Sequence, residues 1–263
     1  MRRAVLLLLA LLVAGCGTDD PVPEPAPPPS SPTPTPSQVE PRWEVLDGPL
    51  ARCGPQPAAL GQADLRYAVL RDPSAGRIPS VSSGRGRTVA VLLHQTDGNG
   101  LCGWLEHVPA LVAERGVAVL AVDVCPYGAA RCAEDVEPME VVAAVVSHAR
   151  EAMRADRVVV VGASMGGSLA VISAATVDGV DAAVDLSGPT DWPGMGQVHG
   201  GRAVRVPVLV AMADEEGPEA VAAARRIANQ APEGSRFLSA EAGHGYDLVE
   251  PFLDDLRAWV AGD

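Results

Sequence analysis

Residues 158–167 read Val-Val-Val-Val-Gly-Ala-Ser-Met-Gly-Gly. A serine hydroxyl is a weak nucleophile until a base takes its proton, and that base needs an acid to orient it. Ser164 stands two residues after Gly162 and two before Gly166, a spacing that suits a sharp strand-to-helix turn with the serine pushed out above a sheet. A side chain at either glycine would collide with the backbone as it doubles back. The same letters also suit a glycine-rich turn with no chemistry, so the context has to decide. Two histidines follow Ser164. His244 lies in Ala-Gly-His-Gly, between the last expected strand and the last expected helix, where its glycines leave the ring free to reach over a sheet edge. His199, in Val-His-Gly-Gly, reads as a loop residue. Carboxylates that could orient a histidine lie between Ser164 and His244, among them Asp191 and, in the run Asp-Glu-Glu-Gly-Pro, Asp214 and Glu216. Carboxylates just ahead of Pro218 would equally suit a helix start.

The elements that must position these groups are legible as alternating strands and helices. Residues 64–70 alternate as a half-exposed strand would, and 76–86 are polar and rich in Gly and Ser, a loop. Continuous apolar runs at 88–93, 117–124 and 158–161 read as strands covered on both faces. Further strands are expected at 181–186, 206–213 and 236–240. Helices are expected at 101–115, 134–155, 168–176, 218–229 and 247–261. This alternation predicts an α/β fold: a doubly wound, mostly parallel sheet with helices on both faces. The crossovers are short, which leaves no room for a cap domain, and no internal repeat is visible. The expected organisation is a leader over residues 1–15, a lipidated cysteine and linker over 16–41, and one folded domain over 42–263.

Composition narrows the setting. The chain has 263 residues and a formal charge of −13, and arginine supplies all its basic charge because it contains no lysine. Without a basic cluster, nucleic acid is not an expected partner. Met-Arg-Arg opens the chain and residues 4–14 are unbroken apolar, too short to span a membrane and suited to a signal-peptide core. Cleavage there would remove Arg2 and Arg3 and leave a charge of about −15. Residues 18–41 turn abruptly to Pro, Ser, Thr and Glu, an extended spacer of about 3 Å per residue. Cys53, Cys102, Cys125 and Cys132 make an even set, which in an exported domain points to two disulfides. Three pairings are possible, including a local 125–132 closure or a tie from Cys102 to that loop. Their spacing fits no zinc pattern, the methionines are scattered, and nothing resembles a phosphate loop or dinucleotide fingerprint. No cofactor or metal is expected, and the protein is expected to be a monomer. His107 and His148 are expected on helical surfaces, inert, and His94 beside the turn as a structural residue.

The serine turn, its later histidine and the strand pattern resemble the α/β-hydrolase superfamily, in its compact, lidless, dienelactone-hydrolase and esterase-like form, over about residues 65–260. That resemblance implies a serine hydrolase that cleaves a small ester or related acyl compound through an acyl-enzyme. Ser164 would attack, His244 would shuttle the proton, and an acid after the penultimate strand would orient it. Relatives often end that strand in Gly-x-x-Asp. Matching Ala213 to the glycine selects Glu216, and matching by the later proline selects Asp214; some relatives place the acid after the preceding strand, which makes Asp191 the third candidate. It further implies an oxyanion hole from the N–H of Met165 and of Thr96, with Gln95 as the alternative. Relatives read His-Gly where this chain has His94-Gln95, a departure that could narrow the pocket or add a donor. Cys102-Gly103-Trp104 would shape the acyl pocket. The run Val-Ala-Gly-Cys resembles the bacterial lipobox, which implies lipidation of Cys16, palmitate included, and an enzyme tethered outside the cell membrane. The competing class is a catalytically weak relative that serves as a binding module of the cell envelope. A peptidase of the same fold is the third.

Overall fold

The structure is a computed structural model that describes residues 43–263 apart from 59, 61–62 and 97–98. The leader, Cys16 and the Pro-rich linker lie outside the described residues. Strands β1 (Trp43–Val45) and β2 (Pro55–Pro57) pair antiparallel around a 3₁₀ turn at Gly48–Cys53. The main sheet follows. It is built from β3 (Arg66–Asp72), β4 (Gly76–Gly84), β5 (Gly86–Leu93), β6 (Gly116–Val122), the short β7 (Arg131–Cys132), β8 (Arg157–Ala163), β9 (Ala182–Leu186), β10 (Val208–Ala213) and β11 (Arg236–Ala240). The helices are α1 (Val108–Leu111), α2 (Pro138–Glu151), α3 (Met165–Thr176), α4 (Pro218–Gln230) and α5 (Leu253–Ala261).

The strand order is β11-β10-β9-β8-β5-β6-β4-β3, with β7 paired to β4. From β6 to β11 every neighbouring pair is parallel, while β4 runs antiparallel to both β3 and β6. The chain leaves β5 for β6 on one side, then returns past it to β8 on the other. The carboxyl ends of β5 and β8 therefore flank the switch point, the crevice where open α/β sheets carry their sites. Gln95 and Ser164 stand at those two ends.

The four valines of β8 explain themselves. Val158 and Val160 point into a core shared with α2, α3 and α4, whereas Val159 and Val161 point into a second core with Trp104, Leu105, Leu256 and Trp259. A period of two with both faces covered leaves no polar position along the strand. At Pro138, α2 opens on a capping box, with the Glu140 carboxylate accepting the Glu137 N–H at 2.9 Å.

Two expectations need correction. Residues 76–84, expected as a loop, form β4, a strand buried along most of its length. Its composition argues against a strand, yet β3 and β6 flank it and pair with its backbone along both edges. The helix expected over 101–115 is mainly a 3₁₀ run, Gly100–His107, followed by the single α-turn of α1. Pro109 lacks the N–H to continue a helix from upstream, and Cys102 is tied elsewhere by its disulfide. The cysteines pair as Cys53–Cys102 and Cys125–Cys132. The second is the local closure; the alternative tie from Cys102 to the 125–132 loop is not formed.

Candidate active site

The Ser164 backbone has φ 50° and ψ −118°, outside the regions open to ordinary L-residues. Such strain persists only where the surroundings over-determine it. The Ser164 N–H donates to the Leu186 carbonyl at 2.8 Å, which ties the turn to the end of β9. A methyl at Gly162 would overlap the Gly166 carbonyl, and one at Gly166 would overlap the Leu93 carbonyl. Gly167 is equally constrained, because its Cβ would overlap Asp185 Oδ1. All three glycines are therefore required by close approach. Met165 opens α3, at the positive end of the helix dipole; the Gly167 and Ser168 N–H groups donate to the Ser164 carbonyl at 2.8 and 3.2 Å, and the Met165 N–H stands ahead of the helix's own hydrogen bonds.

The acid emerges from a short 3₁₀ turn at Asp214–Glu216, whose three carboxylates reach three different partners. Asp214 Oδ1 accepts the Ser239 hydroxyl at 3.0 Å, on β11. Glu215 Oε1 accepts the Gly243 N–H at 2.7 Å. Glu216 Oε1 meets His244 Nδ1. The structure thus places Glu216, and neither Asp214 nor Asp191, against the imidazole. Glu215 escaped sequence reasoning, although it fixes the residue just before His244; a third acid in the run was its only signal. Asp247 completes the loop by accepting the His244 N–H at 3.2 Å.

The His244 loop lies on the serine turn: a Cβ on Gly245 would sit 3.5 Å from Ala163 Cβ, the residue before Ser164. No hydrogen bond joins the Ser164 hydroxyl to His244 in this structure. Catalytic contacts of this kind commonly tighten only when substrate is bound. His199 is exposed in a left-handed turn of the 195–201 segment, as a loop residue should be.

Facing the serine turn, the residues after β5 are fixed by His94. Its Nε2 receives the Val124 N–H at 2.9 Å, so the proton must sit on Nδ1, which donates to the Gln95 carbonyl at 2.6 Å. The Gln95–Thr96 peptide is trans, so its N–H, that of Thr96, points away from the imidazole. The Gln95 N–H is already engaged by the Tyr246 hydroxyl at 3.4 Å.

Tyr246 was not foreseen. It packs edge-on against Trp104 with centroids 5.1 Å apart, and Gly103 is required because its Cβ would overlap the Tyr246 ring. Trp104 is fully buried under this wall rather than open to a pocket. His107 corrects its expectation too: it stacks near Trp104 and Tyr246, and burial pushes its pKa down. His148 on α2 is half-buried and is likewise lowered by burial.

Asp123, at the end of β6, is wholly buried. It accepts from Arg52 at 2.7 and 2.9 Å and from the Leu101 and Ala129 N–H groups, each at 2.8 Å. It therefore gathers the loops below the site onto the Gly48–Cys53 turn.

Sheet order, strand directions and serine turn together decide the architecture. The chain has the α/β-hydrolase fold. Residues 129–236 match the Dienelactone hydrolase family, a stretch that includes Ser164, Asp214 and Glu216 and ends before His244. Among solved structures, an esterase of Pyrococcus furiosus superposes with a TM-score of 0.63 at 15% identity, covering 85% of this chain and 97% of that one. A dienelactone hydrolase from Anabaena variabilis gives 0.60 at 13% identity over 76% and 96%. An α/β serine hydrolase without a lid from Xanthomonas campestris gives 0.58 at 17% identity over 75% and 92%. A search of curated proteins by sequence returned no match.

Proposed function

We propose that this α/β-hydrolase cleaves carboxylic esters by a serine-linked acyl-enzyme route. The observation that carries the reading is the Glu216 carboxylate on His244 Nδ1, at the end of β10 and beside a strained serine turn. The Ser164 oxygen attacks the ester carbonyl carbon while its proton passes to His244 Nε2. The N–H groups of Met165 and Thr96 hold the developing oxyanion. Collapse breaks the bond to the alcohol oxygen, which leaves with the proton from His244. Water then gives a proton to His244, its hydroxide attacks the acyl carbon, and the acid departs as Ser164 regains its proton. Glu216 keeps Nδ1–H donating to it, so that Nε2 faces the serine. The match to the Dienelactone hydrolase family and the esterases among the structural neighbours support this reading.

The test uses the folded domain, a fluorophosphonate probe and a short-chain ester. Labelling should depend on Ser164 and vanish in Ser164→Ala. Glu216→Gln should lower kcat by roughly 10²–10⁴-fold, while Asp214→Asn stays within about threefold. Ser164-independent labelling would sink the proposal. The sequence Val-Ala-Gly-Cys and the Pro-rich stretch that follows further support a tether at Cys16, outside the cell membrane. Loss of palmitate incorporation in Cys16→Ser is the expected result.

A further inference from the structure

Beside His244 lies a cavity of about 480 Å³, within the usual range for small-molecule sites. Its floor is the segment that follows β9, beginning at Ser187, one residue beyond the carbonyl that holds the Ser164 N–H. Glu216 and His244 form one side, so the cavity continues directly from the proposed catalytic groups.

Two features of its lining point to a ligand. Asp191 and Glu219 stand on the rim, both exposed, and among the described residues neither has a cationic partner within 4 Å. Among the described residues no arginine lines the cavity, and the chain has no lysine. His244, the one imidazole in the lining, is already paired with Glu216. At the floor, Ser187 is only 2% exposed and its Oγ has no hydrogen-bond partner among the described residues. It also holds a left-handed backbone at φ 56°, unusual for a residue other than glycine. A hydroxyl this deeply buried is normally satisfied. Here it borders a space large enough for the group that would satisfy it.

We propose that this cavity is the subsite for a cationic arm of the substrate, a quaternary or protonated amine carried by the ester. Asp191 and Glu219 set the charge preference; Ser187 Oγ accepts from the N–H of a protonated amine and, for a quaternary one, offers its lone pairs to the N-methyl groups that carry the positive charge. This rests on the ester-hydrolase reading for its kinetic consequence, though not for its binding consequence. Two exposed carboxylates near a partly enclosed cation favour it by a few-fold each at low salt, and screening reduces the effect.

The test compares a cation with its neutral isostere. The kcat/KM for acetylcholine should exceed that for 3,3-dimethylbutyl acetate by roughly five- to twentyfold at 20 mM salt, and the ratio should shrink at 0.5 M. In Asp191→Asn/Glu219→Gln the ratio should fall to about one or two. Both residues are exposed and unpaired, so the double variant should fold, which a thermal melt checks. In parallel, calorimetry on the whole domain compares choline with 3,3-dimethylbutan-1-ol. Choline should bind more tightly to the wild type, and the double variant should lose that preference. Absence of turnover with charge-selective choline binding would overturn the hydrolase reading and leave the subsite standing. An equal response to the charged and neutral members of both pairs, or a preference that survives the double substitution, would overturn the subsite.

Discussion

Asp185→Asn should make this protein more stable at neutral pH, and the gain should disappear in acid. Asp185 sits on β9, 1% exposed, directly behind the serine turn. Its Oδ1 accepts the Gly188 N–H at 2.6 Å, while Oδ2 has no hydrogen-bond partner among the described residues. Desolvation pushes its pKa up to about 7, against smaller opposing pulls from the Gly188 N–H and the charge of His244. In the unfolded chain the same group titrates at about 3.9. Between those values the folded state holds a proton that the unfolded state has lost, so stability falls as pH rises. Each unit costs 1.36 kcal/mol, which accumulates to on the order of 4 kcal/mol by pH 7 and then levels off. Asparagine has the shape of the protonated acid, keeps an oxygen for Gly188 and does not titrate. The difference in urea unfolding free energy between variant and wild type should be small at pH 4.5 and reach about 2–4 kcal/mol in favour of the variant at pH 7.5. Every other carboxylate is common to both proteins and cancels in that difference. A difference that is flat with pH, or a variant less stable at pH 7.5, would refute the reasoning.

Other perturbations follow from contacts at the turn and its surroundings. Gly166→Ala forces a methyl onto the Leu93 carbonyl, so it should cost more than about 2 kcal/mol in chemical unfolding and reduce fluorophosphonate labelling with it. The Cys53–Cys102 disulfide closes a loop 49 residues apart in sequence, against 7 for Cys125–Cys132. By chain entropy, Cys53→Ser/Cys102→Ser should lose about 4 kcal/mol and Cys125→Ser/Cys132→Ser about 2, compared by melting under non-reducing conditions. The reverse ranking would count against the entropic account.

What the sequence made legible was whatever a local pattern encodes. The β8 valines, the glycines around Ser164 and the proline that starts α4 each impose their structure within a few residues. Long-range requirements were hidden. β4 is a strand only because β3 and β6 flank it, and no property of Gly-Arg-Ile-Pro-Ser-Val-Ser-Ser-Gly announces those neighbours. Glu216 and Asp214 were equivalent in sequence, and what separates them is the direction in which a 3₁₀ turn fans its side chains. Asp185 lay inside an apolar run and read as part of a strand; its burial depends on Gly167, eighteen positions earlier, leaving room for it. Tyr246 becomes interpretable only when Gly103 and Gln95 come up against it.

Arg52 bears on where this domain can be shortened. The main sheet starts at Arg66, and trimming a chain to its first sheet strand is a natural choice for an expression plasmid. Such a cut would strip away the guanidinium that neutralises Asp123 and the thiol that partners Cys102 in one stroke. The remaining carboxylate would face its dry surroundings without a counter-ion, a loss of about 3–5 kcal/mol from the charge alone. For this protein the minimal folding unit is therefore drawn by electroneutrality, and its boundary falls upstream of residue 52.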